Sequence, residues 1–408
     1  MCFRVLAILT GVATIAAIAA LPASASAPPA TVAINGAFLA RVKAHPDAAM
    51  LDAVRSEADK AISAGPFSVM DKKDTPPSGD KHDYMSLAPY WWPNPATSNG
   101  LPYIRHDGRI NPERYKVPDD ANMNRMQNAV HALALGYYFT GNEQYAARAV
   151  LLLRAWFLDP ATRMNPNLNY AQAVLGVNNG RGIGLIDVAK MPRILDGITL
   201  LKGSPSLTEA DEQGLRAWFT QYLDWLKNSK NGRDESDAKN NHGSWYDEQI
   251  TGIALFLGDK ALARKVAETA ETKRIALQIE PDGSEPLELA RTKSFSYSAF
   301  NLDALEQLAQ EDRLTGVNLW RYKAKDGASI RAALDYLLPY ALGEKKWTHE
   351  ALNGVDPNDL TEPLLLAAMH YRDADYLDDA KKFEKHQGAE TLLLQAQAEA
   401  MLGPHGSN

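Results

Sequence analysis

Apolar residues recur at three- and four-residue spacing along most of this chain, in runs punctuated by Gly, Pro, Asn and Asp. Phe38, Leu39, Val42, Met50, Leu51, Val54, Ala58 and Ile62 mark one face of a helical segment over 36–64, broken at His45-Pro46. From Asn122 onward the pattern is almost wholly helical, and further helices are predicted over 207–228, 298–311, 328–341 and 361–385. One punctuation occurs twice, in Tyr138-Phe139-Thr140-Gly141-Asn142-Glu143 and in Leu255-Phe256-Leu257-Gly258-Asp259-Lys260. In each, Gly can end one helix in a left-handed conformation while Asn or Asp caps the next, which makes an αα-hairpin turn. Alternating β patterns are scarce, and Ile275-Ala276-Leu277-Gln278-Ile279 fits a helix end as well as a strand. Many antiparallel helix pairs of similar length predict an all-α fold, an (α/α) toroid or incomplete barrel. A helical-repeat solenoid is the rival architecture, but no strict period is visible.

Two stretches depart from the helical pattern. Residues 66–120 are rich in Pro, Gly, Asp and Asn and contain Asp83-Tyr84-Met85-Ser86-Leu87-Ala88-Pro89-Tyr90-Trp91-Trp92-Pro93. So long a segment is functional or disordered, and its aromatic density favours an ordered loop over one face of the protein. At the N-terminus, Arg4 precedes an apolar run from Val5 to Leu21 that ends in Ala23-Ser24-Ala25-Ser26-Ala27. This reads as a signal peptide over 1–27, cleaved between Ser26 and Pro28, which predicts a periplasmic or secreted protein with no membrane association after cleavage. The remainder, 28–408, is expected to form a single domain, although the region after about 345 has the makings of a small terminal subdomain.

Composition narrows the chemistry. Cys2 is the only cysteine and leaves with the signal, so neither a disulfide framework nor a thiolate metal site is expected. A net charge of -7 without a basic run argues against a nucleic-acid partner. With 45% hydrophobic residues the chain can bury a large core, and 8 Trp with 16 Tyr supply flat faces on which sugar rings stack. A polyanionic ligand would have to be held by local Arg and Lys side chains. Nothing in the chain marks an oligomeric state.

Two strings carry the candidate chemistry: Asn240-Asn241-His242-Gly243-Ser244-Trp245, and Arg291-Thr292-Lys293-Ser294-Phe295-Ser296-Tyr297. Together they offer an amide, an imidazole, a guanidinium and a phenol. Removing the proton at C5 of a uronic acid places extra charge on its carboxylate. Catalysis therefore needs donors for that carboxylate, a base for C5 and an acid for the O4 leaving group. Asn241, His242 and Arg291 suit the first task. Tyr297 suits the others: a free phenol has a pKa of ~10, and a neighbouring cation favours the phenolate. Each residue also has a structural reading. Asn-Asn-His can be a helix cap with a buried histidine, Arg291 can pair with Glu285 or Glu288 across a helix turn, and Tyr297 can be core. The combination favours function, because both strings open predicted helices, and helix openings sit at the rim of a toroid. Asn240 itself reads better as a helix-opening residue than as a catalyst.

These residues resemble the alginate lyase family, the helical-toroid polysaccharide lyases. The strings Lys239 to Trp245 and Glu288 to Tyr297 carry the likeness, with Tyr90-Trp91-Trp92-Pro93 near its start, and it spans about 83–366. Polysaccharide lyase family 38, which acts on polymannuronate or glucuronan, is more similar than family 5. The resemblance implies that Asn241, His242 and Arg291 neutralise the carboxylate and that Tyr297 is the acid and base. In β-D-mannuronate and β-D-glucuronate the C5 hydrogen and the C4 oxygen lie on the same side, so one residue can serve both steps. L-Guluronate would need base and acid on opposite faces, with His242 available as the base. The implied partner is an acidic polysaccharide, poly-mannuronate or glucuronan.

Further candidates for substrate contacts are Tyr90, Trp91, Trp92 and Trp245, with Asn178 and Arg181 from the Gly-rich Asn178-Asn179-Gly180-Arg181-Gly182-Ile183-Gly184. That segment lacks the context of a phosphate loop, and Arg181 reads as a carboxylate clamp for a neighbouring subsite. His131 lies in a helical stretch with Asn124 and Asn128, where a core histidine is the simpler reading. His82-Asp83, His106-Asp107 and Asp119-Asp120 lack helical ligand spacing, so no metal and no cofactor are expected. Two rival functions stay open: a glycoside hydrolase on an α/α barrel, using carboxylates among Asp282, Glu285 and Glu288, and a non-catalytic acidic-sugar-binding protein.

Overall fold

In the computed structural model, residues 27–383 and 388–403 are described. The predicted signal segment lies outside them except for its last residue, Ala27. Sixteen helices follow in chain order: α1 (Gly36–Ala44), α2 (Ala48–Ala61), α3 (Asp119–Thr140), α4 (Glu143–Leu153), α5 (Met191–Leu200), α6 (Glu209–Asn228), α7 (Lys230–Ser236), α8 (Asn241–Leu257), α9 (Lys260–Ala270), α10 (Ala276–Gln278), α11 (Pro286–Leu289), α12 (Ser294–Glu311), α13 (Ile330–Ala341), α14 (Thr361–Tyr371), α15 (Ala374–Ala380) and α16 (Ala389–Leu402). The two hairpin turns form as the sequence predicts. Gly141 and Gly258 adopt φ of 69° and 87°, and Asn142 and Asp259 then accept the backbone N–H of Gln144 and Leu262.

The predicted helix over 361–385 is two helices. Arg372 turns left-handed at φ 54°, and the Asp373 side chain caps the next helix through the Asp375 N–H. Asp is a strong cap, and here local capping overrides a continuous apolar pattern. Ile275 to Ile279 is a helix end, with a π-turn running into α10.

Neighbouring helices trace a closed circuit. α2 packs on α3, α3 on α5, α5 on α8, α8 on α12, α12 on α14, α14 on α16, and α16 back on α2. A second layer lies against it, with α4 on α3, α6 and α9 on α8, α13 on α12, and α15 on α14. This is the expected all-α toroid of antiparallel helix pairs. The apolar core divides into two large clusters, one from Val32 to Ile253 with Ala389 and Leu393 of α16, the other from Ala270 onward.

The long loop over 66–120 is ordered by short pairings. β1 (Met85–Leu87) runs parallel to β4 (Tyr170–Ala173), and β2 (Trp91–Trp92) pairs antiparallel with β3 (Ile104–Arg105). Lys72, fully buried, anchors the segment by an ion pair to Asp119 at 2.9 Å and by donating to the carbonyls of Val69 and Lys81. Just past β3, Asp107 ties the ribbon to the approach to α12 by accepting the Thr292 backbone N–H and hydroxyl.

A polar clamp ties the N-terminal strap to the ring. Asp196 on α5, wholly buried, accepts the N–H groups of Val32, Ala33 and Ile34 at 2.5, 3.4 and 2.7 Å. Arg313 donates to the carbonyls of Thr31, Ala33 and Ile34 from the other side. Hydrogen bonds to a buried charge stabilise by more than neutral ones, and orphaned N–H groups are costly. Asp196→Ala is therefore expected to lower stability by about 2–3 kcal/mol, read as the shift of the denaturation midpoint; an unchanged midpoint would show that the strap adds nothing.

Candidate active site

A cleft of about 1360 Å³ opens at one end of the ring. The β2–β3 ribbon, the segment 181–190, the start of α8, the face of α12 and the start of α14 line it. Asn241, His242, Arg291 and Tyr297 all reach it, together with Tyr90, Trp91 and Arg181.

The placement of Asn241 and His242 follows from a buried arginine. Arg274, wholly buried, donates to both carboxylate oxygens of Asp247 on α8 at 2.7 and 3.1 Å. Nη1 donates to the Ala238 carbonyl at 2.7 Å, and Nη2 donates also to the Ser236 carbonyl at 2.8 Å. The turn between α7 and α8 is thereby fixed against α8. Gly243 makes room for it, since a Cβ there would fall 2.4 Å from Arg274 Nη1 and 2.3 Å from the Ala238 carbonyl.

Asn240 sits at the N-cap of α8 as the sequence suggests, but its side chain makes no capping bond. Glu288 caps the helix instead. Its Oε1 accepts the Asn241 backbone N–H at 2.7 Å, and its two oxygens accept the Asn241 side-chain amide at 2.8 and 2.9 Å. His242 Nδ1 bonds Glu235 Oε1 at 2.7 Å, which leaves Nε2 for the cleft.

Arg291 and Tyr297 form the opposite wall. The guanidinium carbon stands 3.7 Å from the centre of the Tyr297 ring. Arg291 pairs with neither Glu285 nor Glu288, the partners its spacing suggests. It makes a two-pronged pair with Asp107, at 3.1 Å from Nε and 2.8 Å from Nη2, across 184 positions of sequence. Burial pushes the Asp107 carboxyl up, but Arg291, the Thr292 N–H and Arg105 outweigh it and hold Asp107 well below the usual carboxylate range.

The Tyr297 hydroxyl donates to the Tyr90 hydroxyl at 2.7 Å. Burial, and then the adjacent Tyr90, push the Tyr297 phenol well above its ordinary value, with Arg291 opposing. The expected preference for phenolate is thus reversed in the unliganded site. Desolvation wins because Asp107 already balances much of the Arg291 charge.

Three sequence candidates fall elsewhere. Trp92 does not line the cleft; its Nε1 donates to the Arg109 carbonyl at 2.9 Å and its ring meets His106 edge-on, which anchors the ribbon. Asn178 is a turn residue whose Oδ1 accepts the N–H groups of Val174 and Gly180. Trp245 is 2% exposed and packs on Phe300 at 5.0 Å, because it falls on the face of α8 turned toward α12. Arg181 does line the cleft, oriented by the Gln172 backbone carbonyl and Oε1, with its guanidinium 5.9 Å from the Trp91 ring. His131 is buried, with Nε2 3.7 Å from Glu390. Among the hydrolase candidates, Asp282 lies in an exposed turn and Glu285 is buried, and none of Asp282, Glu285 and Glu288 lines the cleft.

Sequence reasoning missed the partners. Asp107 was visible only as half of a weak metal pair, and nothing local connects it to Arg291. Glu235 lies in the short helix before His242, Lys190 carries cleft-lining charge without a motif, and Lys293 lines the cleft from within the Arg291 to Tyr297 string without having been assigned a role. Among the described residues, no three His, Cys, Asp or Glu side chains are grouped to hold a metal ion, and no helix is long and apolar enough to cross a membrane.

The family model for alginate lyases matches residues 68–347. This chain belongs to the alginate lyase family. It is a polysaccharide lyase. An alginate lyase from Bacteroides ovatus is similar at 38% identity, with a TM-score of 0.85, over 90% of this chain and 98% of that one. Alginate lyase A1-III from Sphingomonas species A1 shares the fold at 16% identity and a TM-score of 0.57, over 95% of this chain and 100% of that one. A variant of A1-III solved with a tetrasaccharide bound gives 17% identity and a TM-score of 0.55, over 87% and 95%. No curated protein matches the chain.

The Asp107–Arg291 pair generates a prediction for this lyase. Asp107→Asn weakens the fork that fixes the guanidinium while leaving Arg291 charged. Misplacement of a positioning group costs on the order of 10- to 100-fold in rate. The variant is expected to lose kcat on that scale in a steady-state lyase assay, and a wild-type kcat would show that Arg291 needs no second carboxylate to orient it.

Proposed function

We propose that this chain is an exported polyuronate lyase that cleaves β-1,4-linked poly-mannuronate or glucuronan by β-elimination. The observation that carries the reading is the meeting of Asn241, His242, Arg291 and Tyr297, from separate segments, around one cleft. The apolar run at the N-terminus, ending in small residues, supports action in the periplasm or outside the cell. The similar solved structures are alginate lyases, and the A1-III variant holds a tetrasaccharide, which supports an acidic polysaccharide as substrate.

In this reading the substrate carboxylate sits between Asn241, His242 and Arg291. Their donors become stronger partners as negative charge grows on it. Tyr297 passes its proton through the Tyr90 hydroxyl to solvent in the open cleft, and the phenolate takes the C5 proton. The electron pair left at C5 forms the C4–C5 double bond as the C4–O bond breaks. The Tyr297 phenol then returns the proton to the departing O4. Arg181 and Trp91 offer a cation and a ring face to a neighbouring sugar.

Incubation with poly-mannuronate and with glucuronan, followed in the near ultraviolet, tests the reaction type. Unsaturated uronate ends are expected; new reducing ends without that absorbance would mean hydrolysis. Tyr297→Phe is expected to abolish turnover while oligosaccharide affinity stays within about tenfold, since the hydroxyl acts mainly in the transition state. Substantial activity in that variant removes Tyr297 from the role.

The pH dependence follows from the raised phenol. Below its pKa the phenolate fraction grows tenfold per pH unit, and burial places that pKa above the ordinary ~10. The value of kcat/KM is therefore expected to climb through the neutral and alkaline range without a plateau near neutrality. A profile flat from neutral to alkaline pH would exclude phenolate as the base.

A further inference from the structure

Glu288 stands behind the site rather than in it. It is 1% exposed and does not line the cleft, yet both its oxygens are engaged by Asn241, at the backbone and at the side chain. An ionised carboxylate only accepts, so the Asn241 amide must turn its nitrogen toward Glu288. That nitrogen lies nearly equidistant from the two oxygens, 2.8 and 2.9 Å, so one hydrogen can bridge them and leave the other for a ligand. Asn241, itself 1% exposed but lining the cleft, has no other hydrogen-bonded partner among the described residues to choose its rotamer.

The same carboxylate belongs to the turn that bears Arg291. The Arg291 backbone N–H donates to the Glu288 carbonyl at 3.0 Å, and α11 is only four residues long. Glu288 therefore joins two segments 47 positions apart, the start of α8 and the approach to α12, at the point where each delivers a carboxylate-binding group. We propose that Glu288 is a positioning residue that sets the Asn241 amide in register with Arg291, so that both address one substrate carboxylate. The proposal rests on the reading of Asn241 as a carboxylate ligand.

Replacing the carboxylate with an amide separates this role from simple stability. In Glu288→Gln, the acceptor oxygen can still cap the Asn241 backbone N–H, but the new NH₂ opposes the Asn241 NH₂. The Asn241 amide then turns over so that its oxygen accepts from the new NH₂, and the N–H that had been left for a ligand is carried away from its place. Glu288→Gln is expected to melt near wild type and to lose kcat by ~10- to 100-fold, with a smaller change in KM. Glu288→Asp, which keeps the charge but withdraws it by one methylene, is expected to lose kcat as well.

The deciding comparison is a double-mutant cycle with Asn241→Ala in single-turnover assays. Glu288→Gln should add almost nothing once the amide is gone. Losses that multiply, or wild-type kcat in both Glu288 variants, overturn the proposal. If Asn241→Ala alone retains full activity, the reading of Asn241 fails first and the positioning role falls with it. Should Glu288→Gln melt far below wild type, Glu288→Asp carries the same cycle.

Discussion

A guanidinium with no exposed surface holds the working end of the ring together. Arg274 is paired with Asp247 and with two carbonyls of the turn before α8, and such burial is tolerated only when every donor finds an acceptor. The turn cannot move without orphaning a charge. Asn241 and His242 therefore start α8 at a fixed place, and Gly243 is there because that guanidinium lies against it. This wall of the cleft is thus built from beneath, by polar contacts behind the side chains that line it.

The same logic governs charge in the cleft. Arg291 and Arg105 share Asp107, and Arg114 is paired with Asp120, while Arg181 and Lys293 form no ion pair with any described residue. A cleft for a polyanion in a chain of net charge -7 needs this arrangement. Paired cations hold shape and a few unpaired ones attract ligand. Burial, and then Tyr90, keep the Tyr297 phenol high, and Arg291, already facing a carboxylate, only opposes them in part.

Much of the architecture was legible because it is written at short range. Helical periodicity, the Gly-Asn and Gly-Asp turns and the interruption at His45-Pro46 all act within one or two helical turns. The break at Arg372-Asp373 was missed because a local cap competes with an apolar pattern that runs through it. The strings around His242 and Tyr297 were legible as chemistry, and their delivery to one cleft agrees with that reading. What could not be seen were relations across the chain. The pairing of Asp107 with Arg291 and of Glu288 with Asn241 depends on where separate segments land. Trp92, Asn178 and Trp245 erred for the complementary reason. Their residue types suit sugar binding, but side-chain direction sends them to the ribbon, a turn and the α8–α12 interface.

The central claim is that the bond is broken by removing the C5 proton. Poly-mannuronate deuterated at C5, compared with the unlabelled polymer under single-turnover conditions, addresses it most directly. Slower formation of unsaturated product from the deuterated polymer, a primary isotope effect, is the predicted result. Equal rates, with new reducing ends and saturated products from both polymers, would contradict it.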